Sequence, residues 1–234
     1  ENLDGILELI DENLSSDILL LQEITSMSPI NYNVNIENRL QDKLDSFFYA
    51  FYPVVQSFFI PKPLGLKHGM GLFSKYKVES VQTVKLPLEN KMYAGFINMY
   101  YALQIGTLPM KSGKKWIIIN LHFSAFDKDA EIRNQQLQKA LKFAENEYQE
   151  GNYVVLWWDF NLLLANSNFK YTTQEKYLDW VHDFPQNILP KDWLISIEKD
   201  VPTVRSLEKE NKQWENYTAI IDWFITSPNI RADK

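Results

Sequence analysis

The chain has 234 residues, 45% of them hydrophobic and 14% aromatic, which is enough for one large core. A net charge of −6 argues against binding DNA or anionic lipid by overall field, although a metal ion or a few cations can still hold a phosphate locally. Cysteine is absent, which excludes disulfides and thiolate metal sites. No apolar run approaches the ~18 residues a membrane-spanning helix needs, so no transmembrane segment is expected. The acidic, amphipathic start ENLDGILELIDEN is the opposite of a signal peptide, and the sequence leaves the compartment open.

Leu3, Ile6, Leu7, Ile10 and Leu14 recur at helical spacing and predict an amphipathic first helix. DILLLQEI (17–24) follows as a buried strand ending in Glu23. Residues 25–36 read as a loop, 39–47 as a short helix, and 49–60 as a β-prone stretch broken by Pro53. PKPLGLKHGMG (61–71) reads as loop, with a strand leaving it over 72–78 and another over 79–86. Residues 92–110 predict one further strand, and KSGKK (111–115) a hairpin turn. The buried strand 116–122 ends in Asn120–Leu121–His122. Residues 130–150 form the clearest helix, with Leu137, Ala140, Leu141, Ala144 and Tyr148 on one face. YVVL (153–156) is a strand without alternation, as expected when both faces are covered, and it runs into Asp159 and Asn161. A helix is expected over 172–183, irregular chain around Pro185, Pro190 and Pro202, and a last strand over 219–226 carrying Asp222.

No repeat, linker or low-complexity tract divides the chain, so residues 1–234 read as a single domain. Several strands follow one another through short turns, which excludes a purely parallel βαβ series. The expected fold is α/β, with two mixed sheets packed as a sandwich and helices on the outer faces, four layers in all.

Four buried strands deliver Glu23, His122, the Asp159–Asn161 pair and Asp222. An unpaired buried carboxylate costs several kcal/mol, so acids placed this way point to a shared polar site. Hard oxygen donors such as Glu23 and Asp159 suit Mg²⁺ or Mn²⁺. A divalent ion beside an imidazole and an amide can attack a phosphate ester: the metal neutralises charge, a carboxylate orients water, and the imidazole donates a proton or hydrogen bond.

In this order DILLLQE, INLHFSAFD, WDFN and IIDWFITSPNI resemble the metal-glutamate, histidine, GDFN and late-aspartate motifs of the endonuclease/exonuclease/phosphatase superfamily. The similarity spans nearly the whole chain and is strongest to an uncharacterised bacterial branch. It implies a metal-dependent phosphodiesterase or nuclease-type hydrolase acting, as a monomer, on nucleic acid or a phospholipid headgroup. It implies that Glu23 binds the metal, that Asp159 orients the attacking water, and that Asn161 hydrogen-bonds the phosphate. His122 would stabilise the phosphate or act as an acid, and Asp222 would orient a second histidine. Arg205, in PTVRSL, and His68, in LKHGMG, are candidate substrate-binding residues. The family's first strand and its final Asp-His strand have no counterpart in this sequence, and Trp157–Trp158 stand where the family has glycines. These departures leave a competing expectation, a catalytically inactive member serving as a binding or scaffold domain.

Overall fold

The computed structural model describes residues 2–26, 32–56, 67–88, 99–125, 127, 129–164, 182–206 and 216–232. Two sheets stack face to face. The smaller is antiparallel, with strands β1 (Ile18–Thr25), β2 (Phe48–Gln56) and β3 (Lys67–Ser74) in the order β1-β3-β2. The larger has six strands: β4 (Ser80–Lys85), β5 (Ala102–Pro109), β6 (Lys115–His122), β7 (Tyr153–Asp159), β11 (Asp222–Thr226) and β8 (Leu194–Ser196), adjacent in that order. A short ladder of β9 (Val204–Arg205) with β10 (Thr218–Ala219) stands apart. Helices α1 (Asn2–Glu12) and α2 (Ile36–Lys43) cover the small sheet, and α3 (Glu131–Gln149) covers the large one. This is the expected four-layer α/β sandwich.

Hydrophobic pattern sets each layer. On α3, Leu137, Ala140, Leu141 and Ala144 pack against Ile117, Ile119, Val154, Leu156 and Ile225 of the large sheet. Leu72, Ile118, Leu108 and Val78 fill the gap between sheets, with Ile18, Leu20 and Val155 beside them. On the outside of the small sheet, Ile10, Leu40 and Leu44 meet Ile24 and Phe73. Burying such side chains stabilises the sandwich by about 1.5–3 kcal/mol each before chain entropy is counted. Beside β1 an apolar cavity of 1170 Å³ opens between the sheets, lined by Leu19, Leu21, Val155, Trp157 and Phe224 among others.

Several boundaries differ from the sequence reading. Helix α2 starts at Ile36 rather than 39, because the Asn35 side chain accepts the Asn38 N–H at 3.0 Å and caps it. Pro53 does not break β2. It pairs with Gly69 where the register shifts, on an edge strand that tolerates a missing N–H. Gly69 and Gly71 mark close strand contact rather than loop, and β3 already begins at Lys67. A Cβ on Gly69 would stand 2.1 Å from the Tyr52 carbonyl oxygen, and one on Gly71 2.5 Å from Ile24 Cδ1. The strand expected over 92–110 is Ala102–Pro109; residues 92–98 lie outside the described residues, as do 172–181 of the expected late helix.

Candidate active site

Three strands of the large sheet bring three polar side chains to one row. Strands β6 and β7 run parallel, joined by α3, and their register places His122 beside Asp159. Strand β11 runs antiparallel to β7 and begins opposite its end, so Asp222 pairs with Asp159 on the other side. His122 and Asp159 therefore lie at the carboxyl ends of parallel strands, where α/β sheets place their ligand chemistry. His122 Nε2 stands 3.7 Å from Asp159 Oδ2.

The small sheet supplies the facing wall. In β1 the pairing advances from Leu21–Gly71 to Ile24–Gly69, three residues against two, which is a β-bulge. Glu23 sits in the bulge with φ of 57°, a left-handed backbone that an L residue adopts at a cost of about 1 kcal/mol. The bulge turns Glu23 outward, where it is exposed. His68 follows on β3, paired with Thr25. One donor atom each from Glu23, His68 and His122 lies within 4.8 Å of the other two.

The turn after β7 is held by several bonds. The Asn161 N–H donates to Asp159 Oδ1 at 3.0 Å, and its side-chain amide donates to the Phe123 carbonyl at 3.1 Å. Asn161 has φ of 48°. Its own carbonyl accepts from Arg133 Nη1. Arg133, on α3, is fully buried and clasps Asp127: Nε to Oδ1 at 2.6 Å, Nη2 to the Asp127 carbonyl at 2.8 Å, and its backbone N–H to Oδ2 at 3.1 Å. The loops that follow His122 and Asp159 are thus fastened to one helix.

A chain of amides joins the two sheets behind the site. Gln22 Nε2 donates to Asn120 Oδ1 at 2.6 Å. Asn120 Nδ2 donates to the Gly71 carbonyl and to Gln104 Oε1, both at 3.1 Å, and Gln104 Nε2 donates to the Ala50 carbonyl at 2.9 Å. Asn120 and Gln104 are fully buried. The residue preceding Glu23 is therefore tied to the strand that carries His122.

Burial and like charge then act on the titratable groups. Asp159 is pushed up to about 7, mainly by desolvation, against the Asn161 N–H that favours its charge, with Glu23 adding repulsion. Asp222 is also raised to about 7, by desolvation and then by Asp159, while Thr203 and His122 pull it down. Desolvation lowers His122, opposed by Glu23 and Asp222. It lowers His68 too, opposed by Glu23 and aided by His122. Two carboxyls poised near neutrality can take a proton from water, and two neutral imidazoles can offer lone pairs. Among the described residues, His122 Nδ1 is buried without a hydrogen-bond partner.

Glu23, His68, His122, Asp159 and Asp222 thus meet at one place, and Asn161 braces it. Arg205 lies on the separate β9–β10 ladder, exposed, with its guanidinium on the Ser206 carbonyl at 3.3 Å. That ladder reaches the site through Thr203, whose hydroxyl accepts the backbone N–H groups of Ile221 and Asp222. The Trp157 ring lies on Phe224, centroids 4.2 Å apart, and lines the apolar cavity. Sequence reasoning missed Arg133 and Asp127. The available signal was a charge four residues before Leu137, on the buried stripe of α3.

The donor set fits a divalent cation: a carboxylate and two imidazoles converge, and a second carboxylate lies beside them. The sequence matches the family model described as "Endonuclease/Exonuclease/phosphatase family" over residues 2–232. Comparison with curated proteins gives no match. Solved structures share the fold at low identity. Truncated TDP2 from Caenorhabditis elegans superposes with a TM-score of 0.58 at 16% identity, over 97% of this chain and 77% of that one. An endonuclease/exonuclease/phosphatase family protein from Leptotrichia buccalis gives 0.60 at 13%, over 96% and 80%. ANGEL2, described as a 2′,3′-cyclic phosphatase, gives 0.58 at 14%, over 97% and 73%.

Proposed function

Because the chain belongs to the endonuclease/exonuclease/phosphatase family, we propose that it hydrolyses phosphodiesters at the site formed by Glu23, His68, His122, Asp159 and Asp222. The observation that carries this reading is the row His122–Asp159–Asp222 facing Glu23 across the two sheets. When bound there, a divalent cation, with Mg²⁺ or Mn²⁺ the expectation for the family, would neutralise charge on the phosphate. Glu23 would hold it from the bulge.

Asp159 orients the attacking water and takes its proton. A base near neutrality suits that task, and the Asn161 N–H fixes Oδ1, leaving Oδ2, 3.7 Å from His122 Nε2, to accept from water. Asn161 keeps one amide hydrogen for the phosphate after serving Phe123. His122, which burial keeps neutral, would offer a lone pair to the cation or an N–H hydrogen bond to the phosphate. Asp222 holds the local charge balance beside Asp159 and His122. Arg205, exposed on the β9–β10 ladder, would touch a substrate only if that substrate reaches past Thr203. The substrate class is a phosphodiester, from nucleic acid or a phospholipid headgroup; bis(4-nitrophenyl) phosphate tests the chemistry without choosing. Hydrolysis that needs Mg²⁺ or Mn²⁺ and disappears in Asp159→Asn supports the assignment. A folded, metal-supplied protein with no turnover on diester, oligonucleotide or phospholipid would replace it with the binding-domain reading, which Trp157 in place of a glycine favours.

A further inference from the structure

The donors also select among cations, an inference that rests on the phosphodiesterase site above and names its metal. We propose that Glu23, His68 and His122 form one two-imidazole, one-carboxylate centre that takes a Zn²⁺-class ion in preference to Mg²⁺.

The three residues arrive from three strands, β1, β3 and β6, so the backbone fixes their approach. Their donor atoms lie within 4.8 Å of one another. A triangle with edges of that length has its centre about 2.8 Å from each corner, against about 2.0–2.2 Å for zinc bonds to imidazole or carboxylate. Side-chain shifts of under about 1 Å close the difference. The spacing is already one that a single ion can bridge.

Ligand chemistry then decides the ion. Mg²⁺ demands oxygen donors in near-octahedral geometry and keeps most of its water. Two nitrogen donors in three suit Zn²⁺ far better, and the affinity order of divalent ions runs the same way. Two histidines, a carboxylate and an open position is a composition that catalytic zinc sites use.

His122 supplies an independent sign. It is 7% exposed, and its Nδ1 has no hydrogen-bond partner among the described residues. Its Nε2 faces Asp159 Oδ2 at 3.7 Å. A ligating imidazole commonly has a carboxylate at its other nitrogen, and with Nδ1 toward the ion Asp159 stands in that position at Nε2. His68 distinguishes this centre from an all-oxygen site, since without it only one imidazole remains.

The test is calorimetric titration of the chelator-treated full chain with ZnCl₂, MnCl₂ and MgCl₂ at neutral pH. One Zn²⁺ per chain should bind at least about tenfold more tightly than Mg²⁺, with Mn²⁺ between them. His68→Gln should weaken Zn²⁺ by about tenfold or more and leave Mg²⁺ within about twofold. X-ray absorption at the zinc edge of the unmodified protein should show two imidazole nitrogens, a readout that does not depend on how the variant folds. Equal Zn²⁺ binding by His68→Gln and the unmodified chain would overturn the centre, as would a zinc edge without histidine. Turnover with Mg²⁺ combined with either result removes this centre and leaves the phosphodiesterase. Tight, His68-dependent Zn²⁺ binding without any turnover keeps the centre and removes the phosphodiesterase.

Discussion

Replacing Asp159 with Asn should stabilise the metal-free protein while abolishing hydrolysis. Asp159 is a mostly buried carboxyl, 18% exposed, between His122 and Asp222 and in the field of Glu23. Raising it from 3.8 to about 7 corresponds to a ceiling of about 4 kcal/mol against the folded state once it is ionised. Residual solvent contact and the sharing of charge with Asp222 reduce this to about 1–2 kcal/mol. The sign follows from proton binding. The native state holds this proton more tightly than the unfolded chain, so the penalty is absent below about pH 4, grows as pH rises, and is complete above about pH 7. Asn keeps an oxygen for the Asn161 N–H, so the bond at 3.0 Å survives. In chelator at about pH 8 the variant should melt roughly 2–8 °C above the parent, and the gap should shrink toward about pH 5. Added metal should reverse the order by stabilising the parent. Diester hydrolysis should fall at least about a hundredfold. A variant no more stable than the parent at about pH 8, or a gap that does not change with pH, would refute the reasoning.

Asn120→Ala should cost about 2–4 kcal/mol in urea unfolding, because it strands Gln22 and Gln104 and empties a buried amide's volume. It should also weaken metal binding through the Glu23 bulge, seen as a smaller melting shift on adding Mn²⁺. Arg133→Met leaves Asp127 buried without its cation and should destabilise by about 3–5 kcal/mol; adding Asp127→Leu should recover most of that in a double-mutant cycle. Gly69→Ala would drive a Cβ to 2.1 Å from the Tyr52 carbonyl oxygen, so β2 and β3 must separate. The cost should exceed the about 1–3 kcal/mol usual for overpacking, read as a loss of soluble, cooperatively unfolding protein.

The row in the large sheet was legible because its strands end in polar residues after uninterrupted apolar runs. In INLH and YVVLWWD a strand pattern meets an unexplained charge, and both ends landed side by side. Asp222 was legible for the same reason, within AIIDWFI. Glu23 could be placed on a strand but not in a bulge, since nothing in LLLQEIT marks which residue is extra; that follows from pairing with β3. The segment carrying His68 reads as loop because glycine is a poor strand former in isolation. Here two glycines sit where neighbouring strands leave no room for a side chain, a fact of packing rather than propensity. Arg133 and Asp127 stayed hidden because a helical arginine is normally solvated, and only the tertiary partner shows that this one braces the turn at Asn161. Pro53 reads as a break because whether a strand lies at an edge is a property of the sheet.

The amide chain through Gln22, Asn120 and Gln104 has a mechanical consequence. Glu23 and His68 ride on one sheet, while His122, Asp159 and Asp222 ride on the other, so the gap at the candidate site is as wide as the spacing of the two sheets. Those amides act as a rivet at that seam. Loosening them lets the slabs breathe apart with every ladder intact, so warming should end the proposed hydrolysis several degrees before the strands themselves melt.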